Sequence, residues 1–212
     1  MKFINLSFNV SEDTPLYGGA EGKIKFTQTA SINKGDTCNN SEITMPCHSG
    51  THIDFPLHFN TDGKSLEDYP DSFWYFEKIG FLNCNIENVL EEINYLDSGI
   101  EILILKTGFG LSRGDKKYWQ NQPVIPSDFA NQFREKFKNL RVFGFDLISL
   151  TSKKNREEGK KAHVSFLIDN EILVVEDMNL SDLVQTPDGI IIAPLKIFNI
   201  DGVPCNVICY FN

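Results

Sequence analysis

The sequence predicts a mixed α and β fold, an α/β unit with a substantial, barrel-like central sheet flanked by helices. Three observations predict it. The chain has 212 residues, 41% of them apolar, which suffices for one well-packed core. Five short, nearly continuous apolar runs read as strands buried on both faces. Two stretches of helical periodicity lie among these runs, so strands outnumber helices and the two are intermixed. No internal repeat or low-complexity linker divides the chain, and residues 1–212 are expected to form a single domain.

Residues 2–8 alternate and read as the first strand. A loop follows, punctuated by Pro15, Gly18, Gly19 and Gly22. Residues 24–32 and 41–47 read as strands, the second leading into a histidine-rich segment. Over residues 85–96 the apolar side chains Ile86, Val89, Leu90, Ile93 and Leu96 fall on one helical face, with Asn85 as N-cap. Ile102–Leu105 is the first apolar run. A second helix begins at Ser127 and places Phe129, Phe133 and Phe137 at spacing four, a stripe suited to core packing. Val142–Phe145, Ile172–Val175, Ile190–Ala193 and Val203–Tyr210 complete the strands. The charged run 153–161, with glutamates between its lysines and Arg156, reads as a solvated loop.

With 20 Lys and Arg against 29 Asp and Glu, the net charge is −9. That balance argues against a nucleic-acid partner, which needs a basic face to displace counterions, and against an anionic membrane surface. No stretch approaches the ~18 apolar residues of a membrane span. Residues 1–8 lack the apolar run and cleavage site of a secretory signal, so a cytoplasmic location is expected. There Cys38, Cys47, Cys84, Cys205 and Cys209 are expected as thiols, mostly serving as small buried hydrophobes.

Of the four histidines, three lie within the eleven residues 48–58. His48, His52, Asp54 and His58 are separated by even numbers, so an extended backbone would project them to one side. Imidazole and carboxylate are the ligand types of zinc and manganese. Pro56 forbids a regular central strand and favours a rigid turn, and Gly50 lets the backbone pass close to an ion or another strand. A set of clustered ligand-type side chains with no shared role would be costly to bury. Such a cluster needs further ligands from elsewhere. Two candidates are His163, just beyond the charged run, and Glu176, at the end of a buried strand.

The segment His48-Ser49-Gly50-Thr51-His52-Ile53-Asp54-Phe55-Pro56-Leu57-His58 resembles the signature His-x-Gly-Thr-His-x-Asp-x-Pro-x-His of the cyclase family, whose best-known members are bacterial kynurenine formamidases; all seven specified positions match. Later landmarks follow in order: 103–108, Gly144-Phe145-Asp146, His163, Glu176, 193–197 and Asp201-Gly202-Val203-Pro204. The resemblance implies a swivelling β/β/α domain, a dimer or higher homo-oligomer, and a two-metal site, usually zinc and sometimes manganese. By motif position, His48, His52 and Asp54 would hold the first ion. Asp54 and Glu176 would bridge to the second, and His163 would complete it. His58 would stay unligated as the proton donor and acceptor. The implied reaction is hydrolysis of an amide or related acyl bond of a small molecule, for a formamidase an aryl formamide such as N-formylkynurenine, with Tyr17 stacking on the ring.

Three positions depart from the family pattern. The substrate loop keeps an aromatic as Tyr17 but lacks the proline and aspartate that often follow. Leu147-Ile148-Ser149 replaces small polar residues, and Val164 stands where a second histidine is common. All three concern the substrate pocket rather than the ligands. They keep open a cyclase, or a cyclic-amide or lactone hydrolase, on the same scaffold. A non-catalytic metal-binding protein is the further alternative, although a structural zinc site is often cysteine-rich and this cluster is not.

Overall fold

The computed structural model describes residues 1–212. Eleven strands form, nine of them in one sheet. β1 (Lys2–Asn5), β4 (His52–Asp54), β5 (Tyr75–Phe76), β6 (Ile79–Asn83), β7 (Ile102–Lys106), β8 (Val142–Phe145), β9 (Leu173–Glu176), β10 (Gly189–Pro194) and β11 (Gly202–Phe211) belong to it. The order is β5-β10-β11-β4-β9-β8-β7-β6, with β1 on β11. β6–β7, β7–β8 and β8–β9 pair in parallel, whereas β9–β4, β4–β11, β11–β10 and β10–β5 are antiparallel. β4, the shortest strand of the motif region, therefore sits where the parallel half meets the antiparallel half.

The apolar runs behave as their composition predicts. β8 is buried throughout and β7 at all but its last residue, as expected of parallel strands covered on both faces. β10 and β11 alternate buried with less buried residues, as antiparallel strands with one wet face do. One contiguous core links both halves, from Leu6 and Ile53 through Phe143 and Phe166 to Val207 and Cys209. The phenylalanine stripe joins it: Phe129 and Phe133 lie on the helix Phe129–Lys136, and Phe137 caps it, fully buried.

Four expectations are corrected. The first strand ends at Asn5, and Ser7 continues only as an isolated bridge to Met178. The strands expected at 24–32 and 41–47 shorten to β2 (Lys25–Ala30) and β3 (Asn40–Thr44), which pair only with each other as an exposed hairpin. The helix expected over 85–96 contains only one α turn, α1 (Val89–Glu92), between two 3-10 turns, and Leu90 faces solvent at 38% exposure. There the Asn94 amide donates to the Leu90 carbonyl, competing with regular helix geometry.

The charged run is the clearest miss. After the turn helix α2 (Lys117–Gln120) and α3 (Phe129–Lys136), it forms α4 (Arg156–His163), which continues as a π-helix over Val164–Asp169. The Asn155 side chain accepts from the Glu158 N–H, Glu157 and Glu158 occupy the first turn, and Lys160 and Lys161 the last. Cap and charge order both match the helix dipole. The residues that suggested a solvated loop are thus a helix's end signals, and the helix ends on His163. Gly159 allows this packing, because a Cβ there would collide with Thr151. No helix is long and apolar enough to cross a membrane.

Candidate metal centre

The register of β4 builds the centre. His52 is directly opposite Glu176 on β9, and Asp54 is directly opposite Gly202 on β11. Alternation puts His52 and Asp54 on one face, as their spacing predicts. The even-number reading fails for the other two histidines, because the strand spans only His52–Asp54. His48 arrives by a turn through Gly50, whose φ of +63° is left-handed, and His58 closes the 3-10 turn Pro56–His58. Turns, not an extended backbone, bring all four together. The His48 and His58 ring centroids are 4.2 Å apart. His163 reaches the same place from the C-terminal end of α4.

The six ligand-type residues converge. Nδ1 of His48 is 2.8 Å from Oδ1 of Asp54. Nε2 of His52 is 3.4 Å from Oδ1 of Asp54 and 3.4 Å from Oε2 of Glu176. Nε2 of His163 is 3.4 Å from Oε1 of Glu176 and 3.6 Å from Oδ2 of Asp54. His52 and His163 each donate Nδ1–H to a carbonyl 2.8 Å away, of Gly50 and Gly159 respectively. Each therefore turns the lone pair of Nε2 toward carboxylate oxygens, a repulsive arrangement unless a cation or a proton lies between.

The residues fit a divalent ion. Nε2 of His52 is buried and has no hydrogen-bond partner, a state native proteins rarely tolerate. Donors about 2.1 Å from one tetrahedral ion stand roughly 3.4 Å apart, the separation His52 shows from both carboxylates. Two groups of close donor atoms share Asp54: His52, Asp54 and Glu176 in one, His48, Asp54 and His58 in the other. His58 thus stands nearer to His48 and Asp54 than an isolated acid/base would.

A cavity of about 320 Å³ opens over the centre. His48, His52, Asp54, His58, His163 and Glu176 line it, and so does Tyr17, which is 37% exposed. Phe59 and Ile148 supply further apolar wall, with the Phe59 ring stacked on His163 at 4.6 Å.

The family model named Cyclase matches residues 4–151, more than half the chain and the whole motif segment. The chain belongs to the cyclase family. It is similar to two curated proteins of nearly its own length, both named kynurenine formamidase. The one from Salinibacter ruber is 28% identical over 213 residues, covering 98% of this chain and 97% of the relative. The one from Bacillus mycoides is 27% identical over 211 residues, covering 98% and 96%. Among solved structures, isatin hydrolase A from Labrenzia aggregata bound to benzyl benzoate aligns with a TM-score of 0.80 at 18% identity, covering 98% of this chain and 93% of that one. A structure described as a potential metal-dependent hydrolase with cyclase activity gives 0.75 at 22%, covering 98% and 96%. At these identities the structural likeness establishes the fold.

In this cyclase-family protein the buried charges hold one another. Burial disfavours protonating His163, but Asp54 and Glu176 outweigh it and push its pKa up to about 10. Burial likewise works against His48, and Asp54 and Asp201 raise it to about 9. His52 is raised too, by Glu176 and Asp54 against its burial. Burial alone would neutralise Asp54, yet His163, His48 and His52 keep it ionised well below the usual carboxylate range.

Two acidic residues of the cyclase-family site were not singled out from the sequence. Asp201 Oδ2 is 2.8 Å from Nε2 of His48 and 2.8 Å from Nδ1 of His58. It appeared only within the Asp201–Pro204 landmark, and nothing local marks it, since its partners lie far back in the chain. Asp177, beside Glu176, lines the cavity but is taken up by a bidentate contact from Arg113 and by the Tyr118 hydroxyl. Its backbone carbonyl accepts from Thr51, which fixes the motif turn. Its φ of +52° is unusual for a non-glycine residue and marks where the chain bends away after Glu176.

Proposed function

We propose that this protein is a metal-dependent hydrolase that cleaves the C–N bond of a small amide, an aryl formamide such as N-formylkynurenine. The observation that carries the reading is the buried, unpartnered Nε2 of His52, 3.4 Å from Asp54 and from Glu176. The curated relatives' names support the amide. His48, His52 and Asp54 would hold one ion, and Asp54, Glu176 and His163 would hold a second. Zinc fits these donors, and manganese is the alternative. When bound, such ions polarise a carbonyl and lower the pKa of water.

The chain's own groups do the rest. His58 is partly exposed on the cavity wall, with Nδ1 engaged by Asp201. Its Nε2 takes a proton from the attacking water and returns it to the leaving nitrogen, acting first as general base and then as general acid. Tyr17 supplies a face for the substrate ring, and Phe59 and Ile148 close the apolar side. The cavity, about 320 Å³, is of a size that takes a small molecule. The protein acts in the cytoplasm, as a homodimer or higher homo-oligomer.

The deciding experiment measures metal content of the purified protein and then hydrolysis of N-formylkynurenine before and after chelation. Activity that chelator abolishes and zinc or manganese restores is the expected result. Stoichiometric metal with turnover of isatin, a cyclic amide, but of no formamide would overturn the proposed substrate.

A further inference from the structure

Asp201 ends the loop between β10 and β11, one residue before Gly202, which pairs with Asp54. Its backbone is fixed to the motif segment, because the Phe55 N–H donates to its carbonyl at 2.9 Å. A single carboxylate oxygen then meets two imidazoles, Nε2 of His48 and Nδ1 of His58, each at 2.8 Å. A carboxylate at neutral pH only accepts, so both ring nitrogens carry protons. That fixes the tautomer of neutral His58 and places a proton on Nε2 of His48. His58 is left with its lone pair on Nε2. His48 meets a second carboxylate through Nδ1, 2.8 Å from Asp54, so by the same rule that nitrogen also carries a proton, which a metal ion would replace.

We propose that Asp201 is the positioning residue of this site, setting tautomer and ring orientation of His58 and of His48 together. The inference rests on the reading of His58 as acid/base given above. One oxygen shared by two rings couples the group that moves the proton to a residue of the metal centre, so neither ring turns without losing its partner. His52 and His163 have their tautomers set by backbone carbonyls and present Nε2. His48 differs from both because its outer partner is Asp201, and it presents Nδ1. Asp201 does this from the rim, with 38% of its side chain exposed. A free surface ion pair would contribute little there, so the effect works through hydrogen-bond geometry and not through bulk charge.

The test uses the zinc-loaded protein with ¹⁵N-labelled histidine. Long-range ¹H–¹⁵N spectra should show His58 protonated at Nδ1, and His48 protonated at Nε2, opposite to His52 and His163. In Asp201→Asn an amide NH₂ replaces one acceptor, so His58 should shift toward the Nε2-protonated form. Zinc content should persist and kcat should fall by about tenfold or more with little change in KM. Asp201→Glu, which restores a carboxylate, should recover the Nδ1 tautomer and part of kcat. A wild-type His58 protonated at Nε2 would overturn the proposal, and so would an Asn variant with unchanged tautomers and rate. The wild-type spectrum decides even if a variant fails to fold. Should the protein hydrolyse no formamide, the functional reading falls while the tautomer pattern is still read independently.

Discussion

His52 and Glu176 are direct partners across the β4–β9 ladder, and Nε2 of the first lies 3.4 Å from Oε2 of the second with no hydrogen bond between them. The other oxygen of Glu176 accepts from the Leu150 N–H at 2.6 Å and the Ser149 hydroxyl at 3.3 Å. The carboxylate is therefore held in place by the chain's own donors.

Glu176→Gln keeps this shape and removes the charge. The variant should bind at least one divalent ion fewer per chain, read by elemental analysis, and lose most activity. In the wild type, zinc at about 100 times its Kd should stabilise by ~2.7 kcal/mol, raising Tm by roughly 5–10 °C. Glu176→Gln should lose most of that rise. An unchanged metal content would exclude Glu176 as a ligand.

Metal binding should release protons. In the metal-free protein His48 and His163 titrate near 9 and 10, so both are protonated at pH 7.5, and His52 is raised as well. Calorimetric titration with zinc in buffers of different ionisation heat should show about two to three protons released per chain, and affinity should climb with pH. The sign for stability follows from the same shifts. Values raised above the ordinary imidazole pKa contribute stability that is fully present below about pH 6.5. It is lost as pH rises through about 9 to 10. The Tm of metal-free protein should fall across that window, and that of the zinc-loaded protein should fall less.

His58→Ala separates ligand from acid/base. It should lower kcat by about 100- to 10,000-fold while metal content stays at the wild-type level. Because His58 lies close to His48 and Asp54, loss of an ion on this change would reassign it as a ligand.

Gly202→Ala tests the packing behind His48. Gly202 is not in the left-handed region, so alanine is tolerated by the backbone, but its methyl would meet the His48 ring. The folded protein should lose about 1–3 kcal/mol of stability. Zinc affinity should drop by about 10- to 100-fold, as when a ligand's support is disturbed. Wild-type affinity would show that His48 can shift without cost.

The motif segment was legible in the sequence because its chemistry is local. Histidines at 48, 52 and 58 with Asp54, one glycine and one proline specify ligand types and turns within eleven residues, and the apolar runs specify β7, β8 and β9 by composition alone. Even the helix that was misread carried its signals, in Asn155, Glu157, Glu158, Lys160 and Lys161. Those signals are ambiguous because alternating charges suit both an exposed loop and an exposed helix face.

What the sequence determined by itself is which groups are available for metal chemistry. Tertiary structure alone decided how they meet. The pairing of His52 with Glu176 depends on strand register between segments more than 100 residues apart, and the contacts of Asp201 span 143 and 153 residues. Spacing along the chain constrains neighbours within a turn or a strand. Register, by contrast, is set by which faces the whole sheet buries, and so it exists only once the fold has closed.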